Sequence, residues 1–468
     1  MDSAYTVLMI TAAYMVALAL ISFAVRKHSR NSKNFTTGGA HFPAILIGLL
    51  MMSEFIGTTA SVGTAQAAYS YGISAAWNLA ALGFGFIIFS VLLAKKYKNL
   101  GENTISGALA KTYGEPVRLA TSIIMICALM IVAVSVYASG GAVLSGLMGI
   151  DRTPAIVITG VVAVMYVSIG GMRSVIYTNT IHAIVMYTGI ILAAGFALSQ
   201  VGGIGTLTST LPAEMFYPGN VGWSQIFAWL VAGIGATFAT QYIVQAITTV
   251  SDGQKAQRAS FYCALLLIPY ALLAALVGMC ATVLFPNIVP LQAFPTVLAQ
   301  MNSLAAGIVV AGIAGALFGT IAALTMGCAT LALKDFYQRF FNPTKDDAKD
   351  LRFVKLATIV AGLLPISLAI FASGVLEVTF LAKALRTALA VLVLMMFYAP
   401  PSFGTQRGAF LSIIAALVVT VAWFLMGNPY GIDNAYIALA TPLIIMTGSH
   451  IIRRPQSRIL NEGQQGRL

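Results

Sequence analysis

Three ionisable side chains sit where an apolar chain can least easily carry them. Glu54 lies in MMSEFIGTTASVGTAQ, about 12 residues into a run that starts near Phe42, roughly 18 Å along a helix. Lys383 and Arg386 lie three residues apart in a later run, VLEVTFLAKALRTALAVLVLMMFY, and so neighbour each other on one helix surface. A charged group at such depth costs on the order of 2.5–3.5 kcal/mol on insertion scales, so each needs a partner or a task. Two arrangements meet that need. In one, Glu54 pairs with Lys383 or Arg386 as a structural salt bridge. In the other, the two cations form a socket for a substrate carboxylate, and Glu54 carries an ion or a proton. Buried charges of this kind usually mark a transport pathway, which favours the second.

Uncharged polar groups recur in the same runs. Gln66 and Gln241 follow clusters of glycine and either hydrogen-bond a polar solute or join helices. Tyr69, Tyr242, Trp77 and Phe238 either line a cavity or pack. His182 either bonds a neighbouring helix or titrates during a proton-coupled cycle. Cys127, Cys263, Cys280 and Cys328 all fall within apolar runs and lack metal-ligand spacing.

The elements holding these groups must be membrane spans. The chain is 59% hydrophobic and 9% charged over 468 residues, with mean hydropathy +0.89, against about 25% charged for a soluble domain. Its net charge of +12 does not mark a nucleic-acid surface, because the basic residues sit in short loops between apolar runs. Of the 26 Lys and Arg residues, all but Arg152, Lys383 and Arg386 can be placed on one side of a bilayer. That asymmetry predicts a cytoplasmic C-terminus and an outer N-terminus in the cell (inner or plasma) membrane. MDSAYTVLMI has no basic n-region, so the first span is expected to remain in place.

About thirteen apolar runs approach the roughly 20 residues needed for a crossing. They predict an all-α polytopic protein with a single transmembrane domain over 1–468. Two spans differ from the rest, with Gly57 and Gly63 inside the second and Gly233 and Gly235 inside the seventh. Five spans apart, they cross in opposite directions, as matching elements of an inverted repeat must. Interrupted helices in equivalent positions of two inverted halves point to a transporter binding site, although glycine also serves close helix packing.

The junction YVSIGGMRSVIYTNTIHAIVM, through Tyr166, Gly170, Gly171, Ser174, Val175, Tyr177 and Thr178, resembles the signature of the sodium:solute symporter family. LALKDFYQRF and SEFIGTTASVGTAQAAYSYG are similar to two further family segments, and the thirteen-span plan is similar to that of bacterial members. The resemblance implies a leucine-transporter-like core of two inverted five-helix repeats, about 42–200 and 222–398, with peripheral helices at 5–26 and 407–452. It also implies a cation site. By spacing from Asp335, the paired hydroxyl positions fall at Gly319 and Thr320, and the carbonyl ligands at Met52, Phe55 and Ala316.

The sequence departs from the family pattern in that region. Gly319 lacks a hydroxyl, and Asn179 and His182 replace the family's Asp and Gln. Na+ held by Thr320 and main-chain oxygens is the leading cofactor. Protons carried by Glu54 or His182 are the alternative, and uncoupled passage through a facilitator or channel is a third reading. The implied function is symport of a small polar solute, a carboxylate or an amino acid, by alternating access. Its implied partners are that solute and the lipid bilayer, with neither nucleic acid nor a protein partner indicated. No HExxH, no GxSxG and no Asp/His cluster with catalytic spacing occurs, which argues against an enzyme.

Overall fold

A computed structural model describes residues 2–25, 31–39, 41–167, 171–372, 375–400 and 403–452. Arg26, Lys27, Arg30, Gly170 and the C-terminal arginines lie outside the described residues. All regular structure among the described residues is helical. In chain order it comprises α1 (Asp2–Val25), α2 (Ser32–Thr37), α3 (Ala44–Phe55), α4 (Thr64–Tyr71), α5 (Trp77–Leu92), α6 (Ala94–Leu100) and α7 (Ile105–Tyr113). Next come α8 (Glu115–Met148), α9 (Arg152–Val167), α10 (Met172–Val201), α11 (Ile204–Thr210), α12 (Trp223–Phe238), α13 (Gln241–Thr248) and α14 (Gly253–Leu284). The remainder are α15 (Ala293–Ala299), α16 (Ser303–Leu331), α17 (Asp347–Ala369), α18 (Val375–Tyr398), α19 (Gln406–Leu425) and α20 (Asn434–Ile452).

Ten helical stretches among the described residues are long and apolar enough to cross a membrane, and the bent pair α12–α13 makes an eleventh. Two more apolar helices, Ala44–Phe55 and Arg152–Met165, are shorter. The thirteen expected runs are therefore not all present as separate long helices. The second is cut after Phe55, and its far half continues into α5 as one stretch, Thr59–Leu92.

The first interruption lies where the sequence placed it. α3 ends at Phe55, Ile56 takes non-helical angles (φ −90°, ψ 72°), and a π-helical turn spans Thr59–Gly63 before α4. Backbone freed at this depth must be tied down by protein. The terminal carbonyls of α3 at Ser53 and Glu54 accept from Thr320 Oγ1 at 3.4 and 3.3 Å. The segment's own side chains pin it to its neighbours, Thr58 Oγ1 donating to Val136 O at 3.1 Å and Ser61 Oγ meeting Tyr270 OH at 2.6 Å.

The second interruption does not lie at Gly233–Gly235. α12 runs through both glycines to Phe238, and the chain bends by 43° between Phe238 and Gln241. The glycines instead admit close neighbours. A Cβ on Gly233 would come within 2.7 Å of Ala81 Cβ, and one on Gly235 would overlap Thr387 Oγ1. Main-chain groups freed by the bend are again satisfied, with Tyr97 OH donating to Phe238 O at 2.8 Å.

α10 lies directly against α16. A Cβ on Gly312 would stand 3.1 Å from Met186 Cα, and one on Gly189 would stand 3.2 Å from Val309 Cα. Helices that gain little from burying apolar surface in lipid associate through such small-residue faces.

Candidate binding site

The two interruptions flank a small cavity of about 40 Å³. Its wall includes Glu54, Phe55 and Gly57 from the first break, Tyr242 from α13, Thr320 from α16, and Thr379, Lys383 and Arg386 from α18. A water needs roughly 10–15 Å³ on this measure, and ordinary ligand pockets exceed about 300 Å³, so walls must part before a solute fits. A larger cavity of about 610 Å³ begins at Leu376, which borders both, and is lined by Gln66, Tyr71, Gln225, Trp229, Glu377 and Asp433.

Lys383 and Arg386 are both buried, and their hydrogen-bond partners are neutral. Lys383 Nζ donates to Asn78 O at 3.2 Å and stands 4.1 Å from the Phe380 ring centre. Arg386 donates to Ala382 O at 3.0 Å, Thr240 Oγ1 at 3.1 Å and Tyr242 OH at 3.4 Å. It thereby clamps the bend between α12 and α13. Glu54, 2% exposed, has no hydrogen-bond partner on either carboxylate oxygen. The ion pairs found among the described residues join neither Glu54 to Lys383 nor Glu54 to Arg386, so the structural salt bridge is not formed in this conformation.

Behind Glu54 lies a group of oxygens. Thr320 Oγ1 donates to Ser53 O at 3.4 Å and Glu54 O at 3.3 Å, the terminal carbonyls of α3. Met52 O accepts from Ile56 N at 2.9 Å, while Phe55 packs edge-on against Tyr242 and Phe86. Ala316 lies about one turn before Gly319 on α16, and both are buried. Asn179 Nδ2 donates to Gly319 O at 3.4 Å. Ser53 Oγ and Asn179 Oδ1 are buried without a partner. A hard cation such as Na+ takes several oxygens at once. The oxygens of Thr320, Ser53, Glu54 and Asn179 gathered around Gly319 and the end of α3 fit that need, whereas Met52 O is already taken by a helical N–H.

The other expected residues are dispersed. Gln66 reaches only the larger cavity, with its Oε1 buried and unpartnered. Gln241 is absent from both cavity walls. Its Oε1 accepts from Ile105 N at 2.9 Å and its Nε2 donates to Asn103 O at 3.0 Å, so it anchors the start of α7. His182 Nδ1 lies 2.8 Å from Tyr14 OH, against the peripheral helix α1. Sequence reasoning passed over Ser53, Asn78 and Thr379. Ser53 carried one signal, a polar side chain beside Glu54 in an apolar run, whereas Asn78 and Thr379 carried none.

Residues 35–416 match the model of the sodium:solute symporter family. The fold is similar to the substrate-bound, outward-open structure of a Na+-coupled sialic acid symporter, with TM-score 0.83 and 18% identity over 96% of this chain and 98% of that one. It is also similar to a nucleobase-cation-symport-1 family transporter in a closed conformation with bromovinylhydantoin bound. That match has TM-score 0.59 and 16% identity, over 89% of this chain and 92% of the other.

Proposed function

The chain belongs to the sodium:solute symporter family, and from that premise we propose that it imports a small carboxylate-bearing solute, a monocarboxylate or an amino acid, together with Na+. The observation that carries the solute class is the α18 wall. Lys383 and Arg386 face one cavity and hold only neutral partners, so a carboxylate is the group that would complete them.

Na+ would be held by the Thr320 hydroxyl together with main-chain oxygens of α3 and α16 around Met52, Phe55, Ala316 and Gly319. When bound, the cation supplies positive charge at the broken end of α3. The chain's own part is to link two sites through one short segment. The carbonyl of Glu54 accepts from Thr320, and Glu54 also belongs to the wall of the solute cavity. Straightening or bending α3 therefore moves both walls together, which alternating access requires. The two inverted repeats, at 42–200 and 222–398, would rock about this point. The basic loops would face the cytoplasm, and the larger cavity would open outward.

Protons in place of Na+ form a second reading, favoured by the unpartnered Glu54 carboxylate. Uptake by the purified protein in liposomes separates the readings. A Na+ gradient at equal pH is expected to drive uphill accumulation of a carboxylate solute. Accumulation driven by a pH gradient alone, and abolished in Glu54→Gln, would transfer the role to protons. Equilibration without accumulation under either gradient would make the protein a facilitator.

A further inference from the structure

We propose that the side chains of Asn179 and Ser53 are ligands of the coupling cation, and that the Asn179 amide oxygen replaces the hydroxyl missing at position 319. The inference rests on the Na+ reading above.

In the sequence, Gly319 and Asn179 look like two separate losses from the family pattern. In the fold they are one arrangement. A Cβ built on Gly319 would overlap Asn179 Oδ1 and would stand 3.2 Å from Ser53 Oγ. The two oxygens thus flank the point where a side chain at 319 would begin. The glycine face of α16 lets α10 approach closely enough for a short amide to reach that point.

Orientation supports a ligand role over simple space filling. Asn179 Nδ2 donates to Gly319 O, which leaves Oδ1 beside position 319 with no hydrogen bond, not even from the Ser53 hydroxyl on the other side of that position. Both Asn179 and Ser53 are 0% exposed, and neither Oδ1 nor Oγ has a hydrogen-bond partner. Buried oxygens without donors are rare, and a cation is a group that satisfies acceptors only. Thr320 Oγ1, one residue along α16, bonds Ser53 O, so a third oxygen joins the group. The resulting ligand set carries no formal charge, which suits one monovalent cation.

The test is thermal unfolding of the purified full-length chain in detergent, titrated with NaCl against choline chloride at constant ionic strength and without solute. Binding to the folded state raises the unfolding temperature with ligand concentration. Wild type is expected to show a Na+-dependent rise. Asn179→Ala is expected to move its midpoint to at least about tenfold higher Na+, and Ser53→Ala to move it in the same direction. Asn179→Asp is expected to keep the response or strengthen it.

Gly319→Ser alone is expected to weaken the response, because its Cβ displaces the amide. Combined with Asn179→Ala, it supplies a hydroxyl in the vacated space and is expected to recover the midpoint. A wild-type midpoint in Asn179→Ala, or a double variant no better than Asn179→Ala, overturns the assignment while leaving Na+ coupling intact. A wild-type protein without any Na+ response overturns the Na+ reading itself. Unfolding temperatures in choline alone show whether each variant is folded. If Asn179→Ala is misfolded, an Asn179→Asp midpoint at least about tenfold above wild type, or a wild-type midpoint in Ser53→Ala, overturns the assignment.

Discussion

Thr320 on α16 donates its hydroxyl proton to the main-chain oxygen of Glu54 at 3.3 Å, and Glu54 is part of the cavity wall that also holds Lys383 and Arg386. The bond exists because α3 stops one residue later, leaving terminal carbonyls without helical donors. A group that binds at Thr320 is thus one hydrogen bond away from the wall of the solute cavity.

Thr320→Ala removes that hydroxyl and one oxygen of the cation group. Sodium-driven uptake is expected to fall at least about tenfold, whereas Thr320→Ser retains most of it. Folding stability changes little, since one net hydrogen bond contributes about 0.5–1.5 kcal/mol. Uptake in liposomes across a Na+ series measures both variants, and an unchanged Na+ dependence in Thr320→Ala removes this residue from the site.

Arg386→Gln keeps a donor near Thr240 but deletes the positive charge. Binding of carboxylate solutes is expected to weaken by about 2–5 kcal/mol, with much smaller effects on neutral analogues. Competition by matched acid and amide pairs reads the difference. Equal losses for both would make Arg386 a clamp on the α12–α13 bend and nothing more.

Gln241→Ala leaves the buried Ile105 amide without its acceptor. A loss of about 1–3 kcal/mol in stability is expected, with the apparent affinity for solute unchanged. Denaturation and transport KM on the same preparation check this. A raised KM with unaltered stability would return Gln241 to the solute site.

Gly235→Ala drives a methyl group into Thr387 Oγ1 and within 2.7 Å of the Thr387 Cα. The close approach of α12 and α18 then costs about 1–3 kcal/mol, part of which Thr387→Ala relieves. A neutral Gly235→Ala would mean that the helices part freely at this point, as they would if Gly235 were a hinge.

The sequence by itself determined that this is a helical membrane protein, because sparse charge and long apolar runs permit no other solvent. It placed the first interruption, since Gly57 and Gly63 cluster inside one span and a second glycine pair recurs five spans later, as an inverted repeat with broken helices requires. It also marked Lys383 and Arg386, whose charge at mid-span demands a reason. Tertiary structure alone decided where the second interruption falls. A glycine reads alike whether it bends a helix or admits a neighbour, and only the positions of Ala81 and Thr387 distinguish the two at Gly233 and Gly235. It likewise moved Gln241 from the cavity to the start of α7, because a side chain's partner lies on another helix and spacing along one helix cannot name it. The pairing of Asn179 with Gly319 belongs to the same class. The two residues are 140 apart in the chain, and only the packing of α10 on α16 makes the absence of one side chain room for the other.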